Sequence, residues 1–363
     1  MNALFSLPRW LRVAVCALSL AAAPTQAAGI LVGYTNCLAL TNLSQRALDQ
    51  VARLNWYFAH ASVGGNMISG LSDLHAISAR LYPIRSASED ATPPATTQLG
   101  LVYEHDRGNP GWQAKVDLFR TCVSNGWRFP KVHLALSKFC FIDQDANLNY
   151  YLGAMTNLEA AFPETVFVYA TIPLMTSTDS DNNLRNVFND GLRGWVRAHG
   201  RVLYDIADIE SHDATGRLCA YTNNSHVYQR LVDDYSSDGG HLNTTGQQLV
   251  AKGFYALAAA LMTADRDGDG LSDGAELIAG TRPGDRSSLL RLAGSPPTVT
   301  HTLVLQWPSS TNRLYTLQRA ASLTAPGGFT NVLSDAPATP PLNTFTDTPP
   351  PNQSVFYRLS VRQ

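Results

Sequence analysis

Residues 56–66, which read WYFAHASVGGN, decide the fold. The first four are apolar and rich in aromatic side chains, which predicts a short buried strand. From Gly64 to Ile77 apolar residues recur at helical spacing, at Met67, Ile68, Leu71, Leu74 and Ile77. Strand, tight turn and helix in this order form a βα unit, and Ser62 lies in its turn.

The same alternation continues along the chain. Further strands are predicted at 132–136, 165–172 and 201–206, and helices at 43–54, 112–123, 148–162, 183–199 and after Asn243, while 86–97 is predicted to be a loop. Strands that alternate with helices predict a mostly parallel sheet covered on both faces, which is a three-layer α/β/α sandwich.

A second stretch, DDYSSDGGHLN at residues 233–243, lies just before the last of these helices. Asp238 can orient the His241 imidazole and leave its other ring nitrogen free as a base. Ligands of such sheets bind at the carboxyl ends of the strands, so we expect Ser62, Lys138, Asp238 and His241 on one rim.

Ser62, Asp238 and His241 are the residue types that acyl transfer needs, because an oriented imidazole activates a serine hydroxyl. Backbone N–H groups at the start of the helix after Ser62 can stabilise an oxyanion. The alternative is a serine that only caps a helix. The sequence HASVG also lacks only the first glycine of an α/β-hydrolase elbow, but the short Asp–His spacing argues against that fold.

Over residues 30–263 the chain resembles the SGNH hydrolases, the GDSL-like esterases and lipases, which have a flavodoxin-like sandwich. Ser62 and the Asp238–His241 block match the serine and Asp-x-x-His blocks of that family. The resemblance implies a Ser-His-Asp esterase, and carbohydrate acetyl esters are the substrate class it favours.

Two family features differ here. The Gly-Asp-Ser of the family is His-Ala-Ser at residues 60–62, and its Gly-x-Asn-Asp block has no clean copy. The resemblance therefore implies that Lys138 replaces the oxyanion asparagine, that Gly108 or Gly111 is the intermediate glycine, and that Asn66 supports the serine turn.

Residues 265–276 match the EF-hand loop pattern at every required position and also resemble thrombospondin type 3 calcium loops. The expected oxygen ligands for a structural Ca²⁺ are the side chains of Asp265, Asp267, Asp269 and Glu276, the carbonyl of Leu271, and Asp273 either directly or through water. No cofactor is expected for catalysis.

Residues 1–27 are typical of a secretory signal peptide, with Arg9 and Arg12 ahead of a short apolar core. We therefore expect an extracellular or periplasmic protein with no membrane span. Charged residues make up 15% of the chain and the net charge is -2, which gives no reason to expect a nucleic-acid partner. After removal of the signal, four cysteines remain, either as two disulfides or as four buried thiols: Cys37, Cys122, Cys140 and Cys219.

The predicted organisation is a hydrolase domain at 28–264, a calcium-binding linker at 265–286 and a β-sandwich at 287–363, the last with strands at 288–292, 302–307, 315–319 and 355–361. The predicted function is a secreted serine esterase whose substrate is an ester, such as an acylated polysaccharide. The alternative is a non-catalytic, calcium-dependent carbohydrate-binding or adhesion protein with a degenerate SGNH domain.

Overall fold

The structure is a computed structural model that describes residues 29–88, 100–124, 132–295, 302–323, 328–350 and 354–363. The predicted signal peptide lies outside these residues. Among the described residues, no helix combines the length and apolar character needed to cross a membrane.

Seven parallel strands form the central sheet: β1 (Ile30–Val32), β2 (Trp56–His60), β3 (Arg85–Ser88), β4 (Leu101–Asp106), β5 (Leu134–Ser137), β6 (Val166–Ala170) and β7 (Val202–Tyr204). Their order across the sheet is β1-β7-β6-β5-β2-β4-β3. The chain extends the sheet first on one side of β2 and then on the other. The crevice at the carboxyl end of β2 is therefore the switch point at which such sheets bind ligands.

Helices cover both faces. The nine helices of the described residues are α1 (Tyr34–Ala39), α2 (Gln45–Val51), α3 (Val63–Ile77), α4 (Trp112–Ser124), α5 (Leu148–Ala161), α6 (Ser180–Ala198), α7 (Ile206–Glu210), α8 (Thr244–Leu261) and α9 (Asp273–Ala279). One apolar core lies between the sheet and α1, α2, α3, α7 and α8, and a second lies between the sheet and α4, α5 and α6. The predicted α/β/α sandwich is confirmed.

Helices α3 and α8 pack closely because Gly70 has no side chain. A Cβ atom at Gly70 would lie 2.1 Å from the Gln247 carbonyl oxygen. This approach brings the start of α3, which carries Ser62, beside the start of α8, which follows His241.

Several elements differ from the prediction. The loop expected at 86–97 contains edge strand β3 in its described part, and residues 89–99 lie outside the described residues. Strand β4 has a polar second half, Glu104-His105-Asp106, which hid it from the hydrophobic pattern. A hairpin of β8 (Ala220–Asn223) and β9 (His226–Gln229) was also missed.

The C-terminal part is a small β-sandwich, as predicted. Its strands are β10 (Ala293–Gly294), β11 (Leu303–Pro308), β12 (Leu314–Ala320), β13 (Thr330–Pro337), β14 (Leu342–Asp347) and β15 (Phe356–Arg362). Two three-stranded sheets, β10-β11-β14 and β13-β12-β15, enclose a core of Leu305, Trp307, Tyr315 and Leu317. The strand predicted at 288–292 is wrong, because that segment is irregular. The domain boundaries themselves stay predictions.

All four cysteines are free thiols. Cys37 and Cys140 are buried, and Cys122 and Cys219 are half-buried. Of the two alternatives that the sequence left open, the structure therefore has thiols and no disulfide among these residues.

Candidate active site

The turn between β2 and α3 holds Ser62 in an unusual backbone conformation, with φ 57° and ψ -118°. A non-glycine residue rarely adopts a positive φ, and such strain is commonest at functional sites. The turn is so tight that a Cβ at Gly64 would lie 2.3 Å from the Cβ of His60. Residues two before and two after the serine thus meet, and one of them must be glycine. Here it is the second, Gly64.

Ser62, His241 and Asp238 form one hydrogen-bonded chain. Ser62 Oγ lies 2.8 Å from His241 Nε2, and His241 Nδ1 lies 2.7 Å from Asp238 Oδ2. A carboxylate only accepts, so Nδ1 carries a proton and Nε2 is left to accept from the serine hydroxyl. The structure thus brings together three of the four residues expected on one rim.

Backbone N–H groups hold the Asp238 carboxylate in place. Asp238 Oδ1 accepts from the backbone nitrogens of Gly240, at 2.9 Å, and His241, at 2.8 Å. The Gly240 bond, followed by those of the His241 side chain and backbone, holds the pKa of Asp238 well below its usual range. The carboxylate therefore stays ionised across the whole physiological pH range.

Two contacts hold the loop that carries His241, and a third holds one of the contacting residues. Asn66, on α3, accepts from the backbone nitrogen of Leu242 at 3.0 Å, so it ties the histidine loop to the serine helix. The Phe141 ring packs edge-on against the His241 imidazole, with centroids 5.1 Å apart. Arg185 Nε, on α6, donates to the Phe141 carbonyl at 2.5 Å. Asn66 thus supports the site, and Phe141 and Arg185 are supports that the sequence reasoning missed.

A thiol separates Ser62 from a second polar side chain. The Ser62 and Asn109 side chains both lower the pKa of the Cys140 thiol, so both lie near its sulfur. Burial raises the pKa of Cys140, but the Lys138 charge, these two side chains and the Ile142 backbone together outweigh it, so the pKa lies below that of an ordinary thiol. Asn109 therefore lies on the serine's side of the cleft. The sequence offered a signal for it, because it stands in the Arg107–Gly111 loop between the two glycines considered there.

Lys138 does not lie where an oxyanion donor is needed. Its side chain is 1% exposed, and its Nζ donates to the Phe139 carbonyl at 2.9 Å. A Cβ at Gly64 would lie 2.8 Å from Lys138 Cε, so the lysine runs beneath the serine turn. Burial lowers the pKa of Lys138 to about 7. The expected replacement of an oxyanion asparagine by Lys138 is therefore not supported by its position.

His60 is also beneath the turn. It is 3% exposed, and its Nε2 lies 2.9 Å from Glu104 Oε2. Burial, with the neighbouring Lys138 charge, lowers the pKa of His60 to about 3, so the imidazole is neutral. A buried, paired histidine is a structural residue and not a second base.

Gly111 lies in the loop between β4 and α4, and its carbonyl accepts from the Lys115 backbone nitrogen at 3.2 Å. It lines a surface groove together with Asn109 and residues 142–145. Of the two members of this loop, Asn109 is the one whose side chain affects the pKa of Cys140.

The acidic loop lies between α8 and α9, so helices flank it on both sides, which the sequence pattern did not reveal. Carboxylate oxygens of Asp265, Asp267 and Asp269 lie within 4.8 Å of one another. Asp267 Oδ2, Asp269 Oδ2 and Glu276 Oε2 are buried without a hydrogen-bond donor. Burial, with the charges of Asp267 and Asp269, raises the pKa of Glu276 to about 8. Converging acidic oxygens without donors fit a hard cation such as Ca²⁺.

Of the two modes expected for Asp273, its contacts favour the one through water. Its carboxylate is fully buried and accepts from the backbone nitrogen of Arg266, at 3.1 Å, and from Arg266 Nε, at 2.5 Å. Because both oxygens already bind Arg266, Asp273 fixes the shape of the loop and is not placed as a direct metal ligand.

Comparisons with known proteins give one sequence match and several similar structures. A bacterial TSP3 repeat matches residues 265–283. No curated protein matches the chain.

Three of the similar structures illustrate the group. A lipolytic protein of the G-D-S-L family from Desulfitobacterium hafniense has 8% identity and a TM-score of 0.36, with 56% of this chain and 99% of that chain covered. A GDSL-like lipase from Bacteroides thetaiotaomicron has 10% identity, 61% and 95% coverage and a TM-score of 0.34. A carbohydrate esterase of family 3 from Talaromyces cellulolyticus has 15% identity, 56% and 94% coverage and a TM-score of 0.35. Two of the three are named for the G-D-S-L group.

Proposed function

We propose that this chain is a serine hydrolase of carboxylic esters that works through an acyl-enzyme. The observation that carries the proposal is the hydrogen-bonded chain from Ser62 Oγ through the His241 imidazole to the Asp238 carboxylate. A strained serine at the carboxyl end of a central strand is a further sign of a nucleophile, because a turn residue or helix cap gains nothing from such strain.

The reaction proceeds in two halves. Ser62 Oγ attacks the ester carbonyl carbon and passes its proton to His241 Nε2, and collapse of the tetrahedral intermediate breaks the bond to the alcohol, which takes that proton. A water molecule then attacks the acyl-serine, again with His241 as base, to release the acid and restore the hydroxyl. Asp238 keeps the imidazole in the required tautomer and stabilises its protonated form.

Charge on the intermediate's oxygen needs donors beside the serine. We assign this role to the backbone N–H groups at the start of α3 and to the Asn109 side-chain amide, which like Ser62 lies near the Cys140 sulfur. Asn109 takes the place that the sequence reasoning gave to Lys138.

The substrate class and the setting are further parts of the proposal. Acetyl esters of carbohydrates are the expected substrates, and the signal-like residues 1–27 support export. Asp265, Asp267, Asp269, Glu276 and the Leu271 carbonyl would hold a structural Ca²⁺, whose charge would offset the converging carboxylates. The cation takes no part in the chemistry.

Hydrolysis of p-nitrophenyl acetate and labelling by a fluorophosphonate test the function. We expect the wild type to be active and labelled, and Ser62→Ala and His241→Ala to fall to background. Ser72→Ala is the matched control, since this serine lies on the same helix and bonds only to the Ile68 carbonyl. An inert, unlabelled wild type would favour the carbohydrate-binding or adhesion protein instead.

A further inference from the structure

A groove of about 570 Å³ lies at the carboxyl end of the central strands. We call it the acidic groove and define it by Asn109, Trp112, Gln113, Asp117, Ile142 and Asp145, which line it. It lies between the loop after β4 and the loop after β5. These strands flank β2 on either side, so their loops border Ser62. The groove is tied to the site by Phe141, which precedes the lining residue Ile142 and packs against the His241 imidazole with centroids 5.1 Å apart, and by Asn109, which like Ser62 lies near the Cys140 sulfur.

The groove leaves the catalytic base unobstructed. It borders α4 and α5, which cover one face of the sheet, whereas His241 precedes α8 on the other face. A molecule in the acidic groove can therefore present a carbonyl to Ser62 without displacing the imidazole.

The lining suits a polyhydroxylated ligand. Trp112 is half-buried and packs edge-on against Tyr150, with centroids 5.6 Å apart, which fixes its ring. Tyr150 also donates to Asp117 Oδ1 at 2.7 Å, so an acceptor for hydroxyl groups is held close to that ring. A flat apolar surface beside fixed polar groups matches the two kinds of surface of a sugar. The lining combines four apolar side chains, Pro110, Trp112, Ala114 and Ile142, with polar and acidic ones.

The groove also selects by charge. Asp117, Asp143 and Asp145 line it, and none of its described lining residues is basic. Lys115 neutralises Asp143 from within the protein, at 2.5 Å, and Arg120 lies 3.6 Å from Asp117. Asp145 is exposed and its charge faces solvent. A carboxylate or sulfate on the ligand would meet negative charge and lose affinity.

We propose that the acidic groove binds an uncharged sugar that carries the ester presented to Ser62. The inference rests on the proposed function in one respect, that the sugar carries an ester for hydrolysis. The binding of the sugar itself does not require hydrolysis. It identifies Trp112 and Asp145 as specificity residues.

The experiment compares three esters, p-nitrophenyl acetate, a mono-acetylated methyl glucoside and the matching acetylated methyl glucuronate. We expect Trp112→Ala to lower kcat/KM for the glucoside about 10-fold, the loss of one aromatic contact, while p-nitrophenyl acetate changes less than about 2-fold. The wild type should prefer the glucoside to the glucuronate, and Asp145→Asn should reduce that preference. Trp195→Ala is the control, because Trp195 is also half-buried but packs on His199, on α6.

Direct binding separates the two proposals. The acetylated glucoside is titrated into Ser62→Ala, with and without Trp112→Ala, and followed by NMR. Binding that depends on Trp112 supports the groove even if no ester is hydrolysed, in which case only the enzymatic function fails. Hydrolysis of p-nitrophenyl acetate without such binding, or equal rates for glucoside and glucuronate, overturns the groove and leaves the esterase intact.

Discussion

Replacement of Asp238 by asparagine isolates the orienting role of the carboxylate. Asparagine has the same shape, and its side-chain oxygen can still accept from the backbone nitrogens of Gly240 and His241. These two donors therefore hold the amide with its oxygen toward the backbone. The amide nitrogen then takes the place of Oδ2, 2.7 Å from His241 Nδ1. Two donors cannot share that contact, so the imidazole must move its proton to Nε2. It can then no longer accept from Ser62.

Asp238→Asn should lower kcat strongly and leave stability nearly unchanged. Loss of the correct tautomer in a triad lowers kcat by about 10⁴-fold, or roughly 5.5 kcal/mol of transition-state stabilisation. The assay is kcat for p-nitrophenyl acetate, with thermal unfolding measured in parallel. The melting temperature should stay within about 3 °C, since the backbone bonds survive. Asp234→Asn, an exposed acid of the same loop, is the control. If Asp238→Asn keeps more than about a tenth of the activity, Asp238 does not orient the base.

Three further predictions concern stability. Gly64→Ala should destabilise the fold by roughly 1–3 kcal/mol or more in chemical denaturation and abolish activity, because its methyl group would overlap His60. Gly65→Ala is the control and should leave stability unchanged, because a Cβ at Gly65 has open space around it. Lys138→Met should stabilise the protein at pH 7 and below by up to about 5 kcal/mol, which corresponds to the fall of the lysine pKa from 10.5 to about 7. The folded state disfavours the charged lysine, so this gain in the free energy of unfolding should shrink as pH rises from 7 and vanish above pH 10.5. Urea unfolding at several pH values measures it, and a gain that is constant with pH would contradict the prediction. Chelation of Ca²⁺ should lower the melting temperature of the wild type and leave Glu276→Gln unchanged; equal curves with and without chelator would remove the calcium site.

Much of the fold follows from local patterns. Strands such as β2 are apolar throughout because both faces of a parallel sheet are covered, and this makes them visible in the sequence. Strands β3 and β4 lie toward the edge of the sheet and are partly polar, so the same criterion missed them. In the C-terminal sandwich the pattern missed β13 and β14 for a similar reason, because most of their residues are exposed or only half-buried.

The residues of the site likewise differ in whether the sequence predicts them. Asp238 and His241 are three positions apart and could be paired from the sequence, and a turn after a strand marked Ser62. The oxyanion side could not be predicted, because it depends on which loop folds over the serine. Lys138 follows the correct strand but its side chain is buried beneath the turn, while Asn109 comes from the loop on the other side of β2. Distance along the chain holds no information about that choice.

The close contact between α3 and α8 has a consequence for the newly made chain. Ser62 and His241 are 179 positions apart, and nearly the whole sandwich separates them in the order of synthesis. Until α8 docks on α3 at Gly70, the serine is an ordinary hydroxyl with no base beside it. The incompletely folded chain should therefore be inactive. Hydrolysis should begin only when the last helix of the sandwich is in place, so the appearance of activity during refolding would time the completion of the domain.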